Sequence, residues 1–460
     1  MIRKYIFSIC LAVFLQTSLF AQMQGAIISS TEREVPSIEP VVNTIKVKKY
    51  SDEKIITLCK DSITGNFCFL KTETGSSIVN YGILPSKFEV YDFKILGKNI
   101  YFCGYDGRFG FIGKISFNTL FTGGNFDYYE IPQTSVVYEL EVYYNAITDS
   151  DDIVALGTNS TSTTYYCINY NTNTSTSYDI YYIQGHVLQS ITQTNNYIGV
   201  VISDPTTNEF GVIRHQKNNI SNLQGQTWQF AYSAYKWIDQ RPENRTYAYL
   251  SEAIDDTDEI LVATSLDYLN SHPDFGVVGN FRTVNVYRVD LSTLQLLSTQ
   301  VIPTDGKPYF KDMVYIQDNG SLNILTNVQV GSDAWNNFPY CCLLDIDIIY
   351  HIDATATNQY QLSFTIPNVS NESYHLLNGI ETYEDYYYIV AGKTKTNKFV
   401  LFDKYIPSTI TNCYRFYYTK AFFDSSLPMN TISYPNYSTP KTVYIDNNSI
   451  SSNKYNIICP

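Results

Sequence analysis

The chain carries little charge and lacks the signals by which nucleic-acid-binding proteins are recognised. Charged residues make up 16% of the 460 positions, and 31 Lys and Arg stand against 44 Asp and Glu, for a formal net charge of −13. No extended run of Lys or Arg is present, so the basic patch expected of a DNA- or RNA-binding protein is missing. The same balance disfavours adhesion to an anionic membrane surface by charge alone. We expect no nucleic-acid partner.

Common catalytic and cofactor motifs are also missing. The sequence has no G-x-S-x-G elbow, no H-E-x-x-H pair, no P-loop and no G-x-G-x-x-G opening a helix. No C-x-x-C pair supports a zinc knuckle. The five histidines have no metal-ligand spacing and are expected to be structural or surface residues: His186, His215, His272, His351 and His375. We therefore expect no cofactor, no resident metal and no catalytic residues, while enzymatic activity stays an open question.

The one long apolar run lies at the N-terminus. Arg3 and Lys4 precede a mostly apolar stretch from Ile6 to Phe20, and Ala21 then comes before Gln22. This three-part pattern predicts a cleaved signal peptide over residues 1–21 and export to the periplasm, the cell surface or the medium. Polar residues interrupt the run, which argues against a membrane anchor, and the mature chain has no other candidate span. The end of the segment resembles signals of Bacteroidetes-type bacteria.

What the chain has in quantity is aromatic residues: 42 Tyr, 25 Phe and 3 Trp, or 15% of the sequence. A disordered chain is poor in aromatics, and helical periodicity is scarce here. Instead, seven short apolar runs each follow a polar turn, beginning at Ile55, Ile100, Ile153, Tyr197, Ile260, Leu322 and Tyr386. A second run follows each of them, near Phe67, Phe109, Tyr165, Phe210, Val284, Tyr340 and Phe399. The repeat predicts an all-β chain built from hairpins.

Two further features recur in the repeat. A small or β-branched residue stands near the fourth position of the first run in each unit, for example Cys59, Gly104 and Gly157. Several second runs end in an Asn or Asp turn, such as Phe117-Asn118-Thr119 and Val289-Asp290-Leu291-Ser292. Asn and Asp favour such turns because their side chains bond to the backbone downstream.

This order of polar turn, strand, small residue, strand and Asp/Asn turn resembles the blades of WD40, kelch and quinoprotein-type β-propellers, without any family-specific signature. The resemblance implies a seven-bladed β-propeller over residues 45–420. Residues 22–44 would supply a ring-closing strand, and residues 421–460 would complete the last blade. An eight-bladed ring and a propeller with a small C-terminal cap are the alternatives.

Eight of the nine cysteines remain after removal of residues 1–21, an even number that permits disulfides in an exported protein. In the propeller register, Cys59 and Cys68 face each other across a turn, and Cys413 with Cys459 would staple the tail onto the last blade. Both pairs are disulfide candidates, and unpaired buried thiols are the alternative.

Two acidic turns, Asp149–Asp152 and Asp255–Glu259, have the composition of calcium sites, since hard cations prefer several carboxylate oxygens together. Both lie, however, in the polar turn that precedes the first apolar run of a unit, where other units have Lys-Asn or Asn-Asn. Ordinary solvated turn residues are the better interpretation.

Unequal spacing points to a binding face. Units beginning at Tyr197, Ile260 and Leu322 are 62–64 residues long, and the surplus falls in connecting segments that contain all three tryptophans. Long loops often carry function, and Trp, Tyr and Arg are frequent in binding sites. The candidate ligand-binding residues are Trp237, Arg241, His272, Asp274 and Trp335. The alternative is that these aromatics simply pack the loops onto the propeller.

These patterns favour a secreted, non-catalytic binding or scaffold protein, with a glycan or protein ligand on the loop face of the blades from 197 to 385. Its oligomeric state is left open. The alternative is a glycoside hydrolase or polysaccharide lyase on a propeller, which needs convergent carboxylates. Asp239, Glu243, Asp274 and Asp312 are the acids to consider for that chemistry.

Overall fold

A computed structural model describes the chain in segments. These are residues 27–34, 41–51, 53–61, 64–73, 78–161, 164–171, 177–184, 186–205, 210–217, 229–233, 245–254, 256–268, 281–304, 307–316, 321–329, 340–347, 360–364, 375–384, 387–394, 399–407, 416–418, 423–425, 430–435, 441–451 and 453–457. Almost all of them lie in antiparallel strands, so the predicted all-β class is confirmed.

The strands form seven successive antiparallel meanders, here called units 1 to 7. Strand β1 (Ile27–Glu34) joins the last unit. Unit 1 contains β2 (Val41–Ser51), β3 (Lys54–Asp61), β4 (Phe67–Glu73) and β5 (Ile78–Ile83). Unit 2 contains β6 (Glu89–Leu96), β7 (Asn99–Tyr105), β8 (Gly110–Ser116) and β9 (Gly124–Ile131). Unit 3 contains β10 (Val136–Asn145), β11 (Ser150–Thr158), β12 (Thr164–Asn171) and β13 (Ser177–Gln184).

The later units follow the same plan. Unit 4 contains β14 (Val187–Gln193), β15 (Tyr197–Ser203), β16 (Phe210–Gln216) and β17 (Gln229–Ser233). Unit 5 contains β18 (Arg245–Ala253), β19 (Glu259–Tyr268), β20 (Phe281–Asp290) and β21 (Gln295–Thr304). Unit 6 contains β22 (Lys307–Ile316), β23 (Ser321–Gln329), β24 (Tyr340–Asp347) and β25 (Tyr360–Phe364). Unit 7 contains β26 (His375–Glu384), β27 (Tyr387–Thr394), β28 (Phe399–Pro407) and β1.

Units contact one another through their first strands. Each first strand contacts the first strand of the next unit, from β2 through β6, β10, β14, β18 and β22 to β26. Strand β26 in turn contacts β2. Because β1 pairs with β28, the beginning of the described chain and its last hairpin also share one sheet.

The C-terminal strands lie at the outer edges of the units. They are β29 (Phe416–Tyr418), β30 (Phe423–Ser425), β31 (Asn430–Pro435), β32 (Lys441–Ser451) and β33 (Asn453–Ile457). They pair in turn with β21, β17 and β13, then with β9 and β5, and finally with β1. The first half of β32 pairs with unit 2 and the second half with unit 1, which joins those units into one nine-stranded sheet.

This path visits the units in the order 5, 4, 3, 2, 1 and 7, the reverse of their order in the chain. For residues 421–460 the sequence suggested a completed last blade, an eighth blade or a cap. Of the described strands in this region, β33 lies in the sheet of unit 7, and the others are divided among units 4 to 1.

Hydrophobic clusters fill the spaces between neighbouring units. In unit 3, Ile153 and Ala155 of β11 pack toward unit 2, whereas Val154 and Leu156 pack toward unit 4. The second strands are therefore buried on both faces, which explains why they read as continuous apolar runs in the sequence. Comparable clusters join units 1 and 2, 4 and 5, and 5 and 6.

One predicted turn is a helix instead. Phe117-Asn118-Thr119 lies in α1 (Phe117–Thr122), whose first turn is capped by the Ser116 hydroxyl accepting the Thr119 N–H at 3.1 Å. The predicted turn at Asp290 is confirmed, because its carboxylate accepts the N–H of Ser292 at 2.7 Å and of Thr293 at 3.4 Å.

Candidate functional site

A β-bulge interrupts the first strand of every unit where it pairs with the second strand. The register of β6 steps from Val90 opposite Gly104 to Asp92 opposite Cys103, which leaves Tyr91 as an extra residue. The residues that follow the corresponding irregularities are Lys46, Asp92, Glu139, Ser190, Ala248, Asp312 and Gly379. A bulge redirects neighbouring side chains and is frequent beside binding sites.

These bulges surround a cavity of about 220 Å³. Six of the seven first strands line it, from β2 to β22. The extra residues of the first four bulges (Ile45, Tyr91, Tyr138 and Gln189) all line the cavity. The residues after these bulges do so as well, and most are polar or charged. The repeated strand irregularity thus supplies the cavity wall.

Asp92 connects three of the first strands. Its carboxylate is 2% exposed, and Oδ1 lies 2.6 Å from Nζ of Lys46 on β2. Oδ1 also accepts the Phe93 N–H at 2.8 Å, and Oδ2 accepts the Leu140 N–H of β10 at 3.0 Å. Burial acts to lower the pKa of Lys46, but the charges of Asp92, Asp312 and Glu139 outweigh it and hold that pKa above its usual range. Lys46 is therefore a permanent cation here.

Glu139 repeats this arrangement one unit later. Its carboxylate accepts the Ser190 hydroxyl at 3.3 Å and the Ile191 N–H at 3.2 Å, both on β14. Burial raises the pKa of Glu139 to about 8, with Lys46 opposing the rise and Asp92 adding to it. At neutral pH most of this carboxyl group is protonated, beside a permanent ion pair.

Two further ion pairs join residues that lie two positions after the residues that follow the bulges of the first strands. Nζ of Lys48 is 2.9 Å from Oε2 of Glu381, which links β2 to β26 and so joins unit 1 to unit 7. Nζ of Lys94 is 2.5 Å from Oε1 of Glu141, which links β6 to β10. All three lysines of this region are thus paired with a carboxylate.

Asp312 and Glu252 complete the charged wall. Asp312 accepts the N–H of Met313 at 3.1 Å, and its charge contributes to the raised pKa values of Lys46 and Lys48. Burial raises the pKa of Glu252 to about 7 against the opposing charges of Lys48 and Lys94. Among the described residues, no hydrogen bond or ion pair of the Glu252 carboxyl is found, although it lines the cavity.

Of the binding and catalytic candidates predicted from the sequence, one lies in the part of the chain that the structure describes. Asp312, one of the acids considered for catalysis, lines the cavity. Trp237, Arg241, His272, Asp274 and Trp335 lie outside the described residues, as do Asp239 and Glu243. His215 is buried, and burial lowers its pKa to about 4, so it is a neutral core residue.

The sequence reasoning missed Lys46, Asp92, Glu139 and Glu252. A signal was present, because Lys46, Asp92 and Glu139 each stand between two apolar or aromatic residues of a strand. A charged side chain at such a position is rarely buried unless it is paired or functional.

Residues of both acidic turns bond to neighbouring units. Asp258 accepts the Thr194 hydroxyl at 3.0 Å and the Asn196 side-chain amide at 2.9 Å, so unit 5 is bonded to unit 4. The Tyr101 hydroxyl of unit 2 donates to Asp151 of unit 3. In the described part of the chain, no three His, Cys, Asp or Glu side chains are grouped as metal ligands.

The predicted disulfide between Cys59 and Cys68 is not formed in the structure. The two residues are directly opposite on β3 and β4, and both are buried free thiols. Burial raises the pKa of Cys68 to about 12 and also raises that of Cys59, which disfavours the reactive thiolate. Cys413 and Cys459 lie outside the described residues.

Comparison with protein-family models and with curated protein sequences finds no match to this chain. Within the described segments, no helix is long and apolar enough to cross a membrane.

Proposed function

We propose that this protein is an exported seven-bladed β-propeller that binds a small polar ligand, or a polar group of a larger one, in its central cavity. Each of the seven units is one blade, and its first strand is the innermost. The cyclic order of contacts among the first strands supports this arrangement. The pairing of β1 with β28 supports ring closure by the N-terminal segment.

The observation that carries the binding proposal is the cavity wall. Ligand sites are concave, with few polar groups placed by a rigid scaffold. Here the polar residues that follow the bulges of five different strands line one cavity, together with Ser251 and Glu252 of a sixth strand. Burying this many charges is costly because each must be desolvated, and a binding role for the wall would account for that cost.

The loop face predicted from the sequence fits the same proposal. In each unit the first and second strands are antiparallel neighbours, so the start of the first strand lies beside the end of the second strand. Trp237 and Arg241 precede β18, while His272, Asp274 and Trp335 follow β19 and β23. We propose that these five residues extend the site for a larger ligand, a glycan or a protein.

A cavity-filling variant tests the proposal. Glycan-array binding and calorimetry with positive glycans would compare the natural protein with Ser251→Trp, which places an indole in the cavity wall. Ser160→Trp, at an exposed turn position, is the matched control. Binding should be lost in Ser251→Trp and kept in Ser160→Trp; equal binding by both would reject the cavity as the site. Trp237→Ala and Trp335→Ala test the loop extension separately.

A second candidate function is polysaccharide cleavage, because one cavity holds both the largely protonated Glu139 and the ion-paired Asp92. A general acid needs a pKa near the working pH, and its partner must stay ionised. Release of reducing ends from a polysaccharide panel, abolished in Glu139→Gln, would favour the enzyme. Binding without release of reducing ends favours the non-catalytic protein.

A further inference from the structure

We propose that the ligand of the central cavity is a small organic cation whose primary ammonium group is received by Glu252, with Glu139 on the same cavity wall. This inference rests on the proposed function, because it assigns a ligand class to the same cavity. It is carried by the charge balance of the wall, by an unpaired carboxyl group and by apolar groups beside it.

The charge balance favours a cation. Three lysines and six acids line or adjoin the cavity, and each lysine already has a carboxylate partner: Asp92, Glu381 and Glu141. Glu139 and Glu252 also line the cavity, and neither has a lysine partner among the described residues. Charges enclosed by protein are screened less than charges in water. A single added positive charge would therefore interact favourably with the wall.

Glu252 is the group best placed to receive that charge. It lines the cavity and, among the described residues, has no hydrogen bond or ion pair of its own. The charges that act on it come from four other first strands: Lys48 on β2, Lys94 on β6, Glu141 on β10 and Glu381 on β26. Both lysines are paired elsewhere, so neither neutralises Glu252 fully.

The remaining lining indicates an organic cation and not a metal ion. Ile45, Ile191, Leu250 and Met313 add apolar surface to the wall. Such groups suit an alkyl chain, which a metal ion does not have. Within the described residues no group of three metal-ligating side chains is present. An alkylammonium ion matches both kinds of surface.

Binding of such a cation must be coupled to protons. Burial raises the pKa of Glu252 to about 7 and that of Glu139 to about 8, so both carboxyl groups are partly protonated in the empty cavity at neutral pH. A bound ammonium ion stabilises the ionised forms and lowers both pKa values. A proton is then released on binding, and affinity rises with pH until the carboxyl groups are ionised. The amine stays protonated throughout this range, because its pKa is close to that of lysine.

Calorimetric titration with n-butylamine tests the inference, with n-butanol as the neutral analogue of equal length. Butylamine should bind more tightly at pH 8.5 than at pH 6, and butanol should not bind. Titrations in two buffers of different ionisation enthalpy should show proton release on binding. In Glu252→Gln the affinity should fall at least about tenfold, as expected for loss of a charge-assisted bond. The exposed Glu53→Gln is the matched control and should bind like the natural protein.

Three results would overturn the ligand class. These are equal binding of butanol and butylamine, unchanged butylamine affinity in a folded Glu252→Gln, and competition by millimolar calcium chloride. If Glu252→Gln fails to fold, the proton release measured on the natural protein decides. A glycan that binds the natural protein but not Ser251→Trp, with no binding of butylamine, would reject the cation and leave the proposed site standing.

Discussion

At the scale of single residues, the molecule places charge where its sequence pattern leads one to expect apolar packing. Asp92 is the most enclosed example: one carboxylate holds a lysine of the preceding unit and a backbone N–H of the following unit. Glu139 likewise accepts a backbone N–H from the first strand of the following unit, that of Ile191. A carboxylate after the bulge therefore helps fix the spacing of neighbouring first strands.

Removal of the Asp92 charge should be costly. In Asp92→Asn, Lys46 loses its closest counter-charge while remaining largely buried. Breaking a buried ion pair on one side costs about 3 kcal/mol or more. The free energy of unfolding, measured with urea, should fall by about that amount.

The control for this substitution is Glu73→Gln, which breaks the Lys71–Glu73 pair at 3.2 Å, where Glu73 is 40% exposed. Exposed pairs contribute at most about 1 kcal/mol, so this variant should stay close to the natural protein. Equal losses in the two variants would mean that Asp92 has no special structural role.

At the scale of secondary structure elements, the bulge in the first strand explains the small residue that recurs in the second. A Cβ on Gly104 would lie 1.7 Å from the carbonyl oxygen of Glu89, and one on Gly157 would lie 2.8 Å from that of Val136. Both carbonyls belong to first-strand residues just before the bulge. In units 2 and 3 the backbone of the first strand therefore approaches Gly104 and Gly157 so closely that a side chain has no room there.

Gly104→Ala should therefore destabilise the protein by about 3 kcal/mol, at the upper end of the usual cost of overpacking. Gly199→Ala is the matched control on the second strand of unit 4. Its Cβ would meet only the ends of the Leu291 and Ile260 side chains, at 3.2–3.4 Å. Thermal unfolding midpoints of both variants check the prediction, and a harmless Gly104→Ala would contradict the close approach of the two strands.

The C-terminal strands form another element with a testable role. Removal of residues 416–460 takes away β29 to β33 and exposes the outer edges of β5, β9, β13, β17 and β21. Unpaired strand edges promote association with other chains. The truncated protein should aggregate with increasing concentration in size-exclusion chromatography with light scattering.

A shorter truncation that removes residues 453–460 leaves all five of those edges covered, and it should stay closer to the full chain. If the long truncation were as monodisperse as the full chain, the outer strands would not be protecting the sheet edges.

The hairpins were predictable from the sequence, and the tail was not. The second strands of the units begin within three residues of their predicted starts, because burial on both faces gives them a continuous apolar run between polar turns. The C-terminal strands pair with outer edges through their backbones, and backbone hydrogen bonds do not depend on side-chain identity. Their partners therefore cannot be read from the residues of β29 to β33.

The cavity was only partly predictable for a related reason. A charged residue inside an apolar strand is visible in the sequence, as at Asp92 and Glu139. Which charges meet depends on the cyclic order of the units, since Lys48 pairs with Glu381 more than 300 residues away. The pairing of the first and last units is a long-range contact that hairpin patterns do not encode.

At the scale of the whole molecule, the first strands, the cavity and the outer strands support one arrangement. In the arrangement that we propose, seven units surround a common centre that holds the ligand site, and the C-terminal strands lie at the outer edges of the units. The Lys48–Glu381 pair and the contact of β26 with β2 are the points at which this proposed ring would close. The proposed binding site would depend on that closure, because the cavity wall is assembled from strands that are distant in the sequence.

An experimental electron-density map of the protein, sharp enough to trace β2 and β26, tests this account most directly. A closed ring predicts seven four-stranded units around one axis, with β26 beside β2 and Lys48 paired with Glu381. It also predicts the C-terminal strands at the outer edges. An eighth unit, or a gap between β26 and β2 that leaves Lys48 and Glu381 apart, would contradict the closed ring and the cavity built on it.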